Sequence, residues 1–178
     1  MADLFTTKLL LQVARLKAGD PSDDTTVVGP LIDPAATQRV EAWVEEAVAQ
    51  GARVLLGGKR LGTVLEATVL TNVKPDMKVS CQEVFGPVVT VTRYRQLDEA
   101  ITELNQSAYG LQAGVFTQDI NKIFRAFRLL EVGAVLANAA NLDAINGDVF
   151  VFDATTLTSQ LGLTDALTAS PVSADRPG

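Results

Sequence analysis

The sequence predicts an α/β protein with a three-layer arrangement, in which helices flank a mainly parallel sheet. Hydrophobic residues make up 47% of the 178 residues and aromatic residues only 6%, an aliphatic content typical of a packed core. From residue 88 onward the patterns alternate strand, helix, strand, helix, strand. Because crossover helices between short apolar strands place those strands parallel, this order indicates a parallel sheet.

The N-terminal part of the chain is predicted to contain two helices. The first covers residues 3–17 and ends before Gly19-Asp20-Pro21. The second begins after Asp33, whose side chain suits an N-cap, with proline in its first position. Its apolar positions are spaced three and four residues apart: Val40, Trp43, Val44, Ala47 and Val48.

Short strands and two further helices are predicted in the remainder. The strands are 53–56, 67–70, 88–94, 113–117 and 134–137, and the helices are 98–105 and 120–130. The buried face of the last helix is expected to consist of Ile120, Ile123, Phe124, Phe127 and Leu130. Lys122, Arg125 and Arg128 are expected on the opposite face.

Composition excludes several functions. The 15 basic and 21 acidic residues give a net charge of −6, which argues against nucleic-acid binding. No apolar run reaches membrane-spanning length, and the N-terminus does not resemble a signal peptide. The chain has no histidine, so histidine-based catalytic pairs and zinc sites cannot form within it, and we expect no metal site. The single cysteine, Cys81, suits a reducing, cytoplasmic location.

Three stretches carry a family resemblance. They are Gly19-Asp20-Pro21 with Val28-Gly29-Pro30-Leu31-Ile32 and the helix that follows; Gln82-Glu83-Val84-Phe85-Gly86-Pro87-Val88; and Asn105 through Tyr109-Gly110-Leu111 to Gly133-Ala134-Val135. In order and spacing they resemble the latter half of the catalytic domain of the aldehyde dehydrogenase superfamily. The resemblance covers residues 3–138, so we assign residues 1–138 to a partial catalytic domain of this type.

The resemblance implies oxidation of an aldehyde with NAD or NADP, through a thiohemiacetal on a cysteine. It assigns Glu83 to the hydroxyls of the nicotinamide ribose and Phe85 to packing beside the nicotinamide, both presented by the Gly86-Pro87 turn. A carboxylate can accept hydrogen bonds from two vicinal hydroxyls, which suits this role. Taken without the motif, Glu83 is interpreted as an ordinary surface carboxylate.

The resemblance also implies what this chain lacks. The family's nucleophilic cysteine, general-base glutamate, oxyanion-hole asparagine and dinucleotide-binding domain all correspond to segments upstream of residue 1. No catalytic residue is therefore assigned, and the chain alone is expected to be inactive. Cys81 matches a variable position and is interpreted as a structural or incidental thiol, since no histidine is present to activate it. Gly57-Gly58-Lys59-Arg60 lacks the spacing of a phosphate-binding loop.

Four other residues are given supporting roles. Asn105 and Tyr109 lie in a turn that supports the sheet, and Trp43 is assigned to the core or an interface. Asn138 matches an asparagine that ends a strand near the family's active site, and is interpreted as a support residue.

Residues 139–178 form a tail that we could not match to the family. It is predicted to contain a turn at Asn146-Gly147, a strand at 148–153, a helix at 155–167 and a loose end after Ser170. The strand is expected either to pair with another chain or to cap the sheet of its own chain.

Two functions remain open at this point: a fragment of an oxidoreductase, or a non-catalytic oligomerising or binding protein that reuses the fold. Hydrolysis by Cys81 is a third, weaker hypothesis. In either main case we expect a homo-oligomer, formed through an exposed sheet edge or apolar helix faces.

Overall fold

The computed structural model describes residues 2–138 and the backbone of residues 149–152. The chain divides into two compact units, residues 1–108 and 109–178, which are taken in turn. No helix of the described part is long and apolar enough to cross a membrane.

The first unit contains a three-stranded sheet, a two-stranded hairpin and four helices among its described residues. Its elements are α1 (Ala2–Val13), α2 (Pro34–Ala49), β1 (Arg53–Leu56), β2 (Arg60–Leu61), β3 (Val64–Leu65), β4 (Thr68–Thr71), α3 (Lys78–Cys81), β5 (Val88–Val91) and α4 (Leu97–Asn105). The sheet order is β1-β4-β5, in which β1 is antiparallel and β5 parallel to β4. Strands β2 and β3 form a short antiparallel hairpin that the sequence analysis did not predict.

Helix α2 begins as the sequence indicates. The Asp33 carboxylate accepts a hydrogen bond from the Ala36 N–H at 2.6 Å, and Pro34 occupies the first helical position. Buried positions of the helix pack against β4 and α3 in one cluster: Val44, Ala47, Ala52, Leu70, Met77 and Val79. Trp43 packs against this cluster, in agreement with its assignment to the core.

Helix α1 is shorter than predicted, because it ends at Val13 and not at residue 17. The Lys17 carbonyl accepts hydrogen bonds from the N–H groups of Val27 and Val28, and the Lys17 ammonium lies 2.5 Å from Asp23. These bonds accompany a β-bridge between Ala18 and Val28, so the backbone at residues 17–18 is extended and cannot continue the helix.

The second unit contains a three-stranded parallel sheet. Its elements are β6 (Gln112–Phe116), α5 (Ile120–Leu129), β7 (Ala134–Ala137) and β8 (Val149–Phe152), with the strand order β7-β6-β8. Strand β8 lies within the predicted segment 148–153 and pairs with β6 of its own chain, with Gly114 opposite Phe150. Of the two expectations for this strand, the structure therefore shows the cap on its own sheet. The predicted turn at 146–147, the helix at 155–167 and the loose end lie outside the described residues.

The buried face predicted for α5 is confirmed at Leu130, which is buried, but is wrong at three of its five positions. Ala126 is fully buried, but Ile120, Phe124 and Phe127 are each more than half exposed. Ile120, Phe124 and Phe127 follow one line at spacings of four and three, whereas Ile123, Ala126 and Leu130 follow a neighbouring line. A helix on a flat sheet buries one such line, and the second remains on the surface.

The α/β fold class is confirmed. Three of the five strand pairings among the described residues are parallel, and helices connect the parallel strands. The remaining predicted strands are found within one to three residues of their predicted ends.

Candidate functional site

The turn from Glu83 to Pro87 enters the sheet at the start of β5. The Pro87 carbonyl accepts a hydrogen bond from the Thr68 N–H at 2.8 Å, which ties the turn to β4. Gly86 lies directly on α2, because a Cβ atom placed there would stand 3.2 Å from both methyl groups of Val40. These contacts fix one end of the turn to the sheet and its middle to a helix.

Phe85 has an unusual backbone conformation within this turn. Its φ of 48° lies in the left-handed region, where a bulky side chain costs about 1–2 kcal/mol. Its ring is nevertheless 60% exposed, so burial of the ring does not offset that cost. The conformation directs an apolar ring outward and must be held by contacts elsewhere in the turn.

Glu83 is exposed at the start of the turn. Its carboxylate makes no hydrogen bond or ion pair with any described residue. Both oxygens therefore retain their acceptor capacity, which a pair of neighbouring hydroxyl groups can use. The structure thus presents the two sequence-assigned residues, Glu83 and Phe85, two positions apart on one turn, and both are exposed.

Arg39 of α2 reaches the centre of this turn. Its Nη2 donates a hydrogen bond to the Val84 carbonyl oxygen at 2.9 Å, and its guanidinium carbon lies 4.6 Å from the centroid of the Trp43 ring. A hydrogen bond from a charged donor contributes about 1.5–3 kcal/mol, and an exposed cation–π contact about 0.5–1 kcal/mol. These contacts are large enough to offset the backbone strain at Phe85.

Sequence reasoning did not identify Arg39. The available signal was its spacing of four residues from Trp43, which places the two side chains on one face of α2. The contact with Val84 spans 45 positions, and no local pattern indicates it.

Cys81 ends the short helix α3, two residues before Glu83. Its Sγ lies 3.6 Å from the Asp76 carbonyl oxygen, to which the thiol donates a weak hydrogen bond. Lys78, the cation nearest in sequence, lies 2.7 Å from the Glu46 carboxylate. Neither contact activates the sulfur as a nucleophile, in agreement with its interpretation as a structural or incidental thiol.

The Gly57-Gly58-Lys59-Arg60 segment forms a tight entry to the β2–β3 hairpin. A Cβ at Gly57 would lie 2.1 Å from the Ala67 carbonyl oxygen, so the glycine is required by a close backbone approach. The Arg60 side chain pairs with Glu41 at 3.0 Å. The two-residue β2 strand follows directly, so no helix N-terminus is present here to bind phosphate.

In the second unit, Asn138 extends the pairing of β6 and β7. Its side-chain oxygen accepts from the Thr117 N–H and its side-chain nitrogen donates to the Thr117 carbonyl, both at 2.9 Å. The φ of Asn138 is 52°, a conformation that asparagine tolerates better than most residues. These contacts agree with a supporting role.

Two further sequence candidates lie near the boundary of the two units. Asn105 is the last residue of α4, and Tyr109 is 45% exposed just before β6. Next to Tyr109, a Cβ at Gly110 would stand 2.6 Å from the Glu131 carbonyl oxygen. This close backbone crossing agrees with a turn whose role is structural.

An open groove of about 610 Å³ lies at the carboxyl ends of β4 and β5. Its lining includes Lys74, Asp98 and Glu103, but not Glu83 or Phe85. The described residues contain no group of three or more carboxylate or thiol side chains placed to hold a metal ion. The turn at the opposite ends of these strands is therefore the candidate site.

Comparison with known proteins places the chain among aldehyde dehydrogenases. The model of the aldehyde dehydrogenase family matches residues 1–151, beyond residue 138, where the recognised sequence motifs end. A 3-sulfolactaldehyde dehydrogenase from Priestia megaterium is 47% identical over 137 residues, which are 77% of this chain and 29% of that protein. A lactaldehyde dehydrogenase from Methanococcus vannielii is 37% identical over 138 residues, covering 78% of this chain and 30% of that protein.

Solved structures give the same result. Aldehyde dehydrogenase 21 from Physcomitrella patens, in complex with the reaction product succinate, matches with a TM-score of 0.75 and 41% identity, over 78% of this chain and 29% of that one. An NADP-dependent glyceraldehyde-3-phosphate dehydrogenase from Bacillus halodurans, complexed with NADP, matches with a TM-score of 0.74 and 37% identity. The match covers 79% of this chain and 29% of that one. The chain spans about 30% of the length of the relatives it matches.

Proposed function

The chain belongs to the aldehyde dehydrogenase family, and we propose that it supplies the nicotinamide-facing turn, Glu83 to Pro87, for an NAD(P)-dependent oxidation of an aldehyde. The observation that carries this proposal is the conformation of that turn. It leaves the Glu83 carboxylate without a partner among the described residues and holds Phe85 60% exposed at a backbone cost.

The residues of the turn fit the ribose and nicotinamide of the cofactor. Glu83 offers two oxygens that can accept hydrogen bonds from the vicinal ribose hydroxyls. Phe85 offers an apolar ring face, against which a planar heterocycle packs favourably. Gly86, close against Val40, keeps the turn near α2, while Glu83 and Phe85 both remain exposed.

Glu83 and Phe85 have distinct tasks in the proposed reaction. Bound nicotinamide supplies the hydride acceptor for aldehyde oxidation. Glu83 orients the ribose by accepting from its hydroxyls, and Phe85 restricts the position of the ring and excludes water from one side of it. Orientation of this kind lowers the entropic cost of bringing the reacting atoms together.

The chain by itself is proposed to be inactive in this oxidation. It has one cysteine, and the Cys81 thiol donates to a backbone carbonyl. A thiohemiacetal requires an activated thiolate, and no described residue activates this sulfur. The single cysteine also supports a reducing, cytoplasmic setting for the protein.

The names of the relatives support the class of substrate and the class of cofactor. Their names include dehydrogenases of 3-sulfolactaldehyde, lactaldehyde and salicylaldehyde, so an aldehyde is the common element. Matched structures include complexes with NADP and with NAD+. We therefore propose a nicotinamide cofactor of either kind and an aldehyde substrate.

The test is an NMR titration of the full chain with nicotinamide mononucleotide, the half of the cofactor that carries the ribose and nicotinamide. We expect saturable shifts confined to the backbone amides of residues 83–86 and 88, and their loss in Glu83→Ala. The exposed Glu45 of α2 provides a matched control, since Glu45→Ala removes an equal charge away from the turn. An absence of shifts at the turn, or equal shifts in Glu83→Ala, would contradict the proposal. A parallel assay with NAD+ and an aldehyde should show no turnover.

Self-assembly without catalysis is a second candidate function, and the surface of α5 favours it. Ile120, Phe124 and Phe127 form a continuous exposed apolar stripe, a surface that favours contact with another copy. Light scattering of the chain should report a mass above 18.9 kDa, and Phe124→Glu should reduce it. A wild-type mass of one chain would exclude this candidate.

A further inference from the structure

Among the described residues, Arg39 is the one charged residue from outside the turn whose side chain bonds to the backbone of residues 83–87, and it belongs to a different element, α2. Its Nη2 donates to the Val84 carbonyl at 2.9 Å while its guanidinium covers Trp43. We propose that Arg39 is a positioning residue that sets the direction of Phe85 and Glu83 toward the cofactor. This inference rests on the proposed function of the turn.

The geometry of one peptide unit explains how Arg39 acts. The Val84 carbonyl oxygen belongs to the same rigid plane as the Phe85 nitrogen, because the peptide bond is planar. A bond that fixes this plane fixes one side of the φ torsion of Phe85, which is 48°. Arg39 therefore acts on the strained torsion itself and not only on the general stability of the turn.

The flanking contacts leave this peptide plane otherwise undetermined. On its C-terminal side, Gly86 packs on Val40, and the Pro87 carbonyl is bonded to Thr68. On its N-terminal side, the Gln82 N–H bonds to the Lys78 carbonyl at the end of α3. Among the described residues, the bond from Arg39 to the Val84 carbonyl is the one hydrogen bond to the backbone of residues 83–85.

Trp43 has two roles in this arrangement. Its ring limits the rotamers of Arg39, because a planar guanidinium stacked on an aromatic face is held parallel to it. Trp43 is also the only tryptophan of the chain, so its fluorescence reports directly on whether the guanidinium is stacked.

The test compares Arg39→Met and Arg39→Lys with Arg60→Met in the full chain. Arg60 serves as the matched control, because its side chain pairs with Glu41 of α2 at 3.0 Å and not with the turn. Three quantities are measured: Trp43 emission, hydrogen exchange of the Val88 amide, which donates to Gly86 within the turn, and binding of nicotinamide mononucleotide.

We expect Arg39→Met to change Trp43 emission, to speed Val88 exchange and to weaken nucleotide binding, the last two by about tenfold, the factor that corresponds to 1.4 kcal/mol. Arg39→Lys should recover part of each effect, because its ammonium can still donate but cannot stack as a plane. Arg60→Met should change none of them.

The outcomes separate this inference from the function on which it rests. If the wild-type chain binds the nucleotide and Arg39→Met binds it equally, with unchanged Val88 exchange, Arg39 does not position the turn. If the wild-type chain does not bind while Arg39→Met still speeds Val88 exchange, the proposed function fails and the effect of Arg39 on the turn stands. Thermal unfolding that falls equally in all three variants would reduce Arg39 to a general structural role and overturn the inference.

Discussion

Replacement of Gly86 by alanine tests whether the candidate turn is seated on α2 as the structure shows. The new Cβ would stand 3.2 Å from Cγ1 and from Cγ2 of Val40, and 3.7 Å from Cδ1 of Leu31. Val40 is fully buried and β-branched, so its methyl groups cannot rotate away at low cost. The φ of Gly86 lies outside the left-handed region, so alanine adds a steric conflict without backbone strain.

Two opposing terms determine how much Gly86→Ala changes the free energy of unfolding. Alanine restricts the unfolded chain, which stabilises the fold by about 0.4–1 kcal/mol. Overpacking in a well-packed interior costs about 1–3 kcal/mol. The steric term is larger, so Gly86→Ala should lower the free energy of unfolding by about 0.5–2.5 kcal/mol.

A double-mutant cycle identifies Val40 as the source of that cost. Val40→Ala alone should cost about 2–3 kcal/mol, from the two lost methyl groups and the cavity they leave. In that background the methyl group of the alanine at position 86 enters the vacated space, so Gly86→Ala should become neutral or stabilising. The coupling free energy should reach about 1–3 kcal/mol. Val44→Ala is the control background, because the atoms nearest to the added Cβ belong to Val40 and Leu31.

The assay is urea unfolding followed by Trp43 fluorescence, which reports on the unit that contains both mutated positions. Additive effects of Gly86→Ala and Val40→Ala, within about 0.3–0.5 kcal/mol, would refute the close contact between the turn and α2. Equal coupling with Val44→Ala would show that the response is general to the core and not specific to this contact.

Three further predictions concern other parts of the chain. Gly57 and Gly62 both have positive φ, but only a Cβ at Gly57 would meet a backbone oxygen, at 2.1 Å. Thermal melts should therefore show that Gly57→Ala lowers the free energy of unfolding by more than about 3 kcal/mol and Gly62→Ala by about 1 kcal/mol. Equal losses would contradict the clash at Gly57. Asn138→Ala removes both side-chain bonds to Thr117, the residue after β6, and should cost about 1–3 kcal/mol. Asn138→Gly should recover only the cost of placing alanine at a φ of 52°. An unchanged melt of Asn138→Ala would show that these bonds do not contribute to stability. Hydrogen bonds from the Lys17 ammonium, and after it from the Thr25 hydroxyl and N–H, lower the pKa of the Asp23 carboxyl from 3.8 to about 2. The stabilising effect of these bonds is therefore present above pH 3.8 and is lost as the pH falls through about 2. In a ¹³C NMR titration Lys17→Met should raise that midpoint toward 3.8, and a fixed midpoint would contradict the pairing.

Local chemistry made several features predictable. Asp33 and Pro34 mark the start of α2, and the structure shows the cap they imply. The alternation of strands and helices after residue 88 predicts parallel pairing, which β6 and β7 show. The turn motif around Glu83 and Phe85 indicates the family, and the family match confirms it. Each of these signals lies within a few neighbouring residues, so the sequence carries it directly.

Long-range contacts account for what was missed. The two apolar lines of α5 are equivalent in sequence, and only packing against the sheet decides that Ala126 is buried while Phe124 is exposed. The β2–β3 hairpin has two-residue strands, too short for a periodic pattern to identify.

By itself, therefore, the sequence determined the fold class and the family and proposed the two residues of the candidate site, because motifs and hydrophobic periodicity are local properties. The tertiary structure alone decided how that site is held. Arg39 meets Val84 across 45 positions and opposes the strain at Phe85, and such a contact exists only after α2 and the turn have packed together.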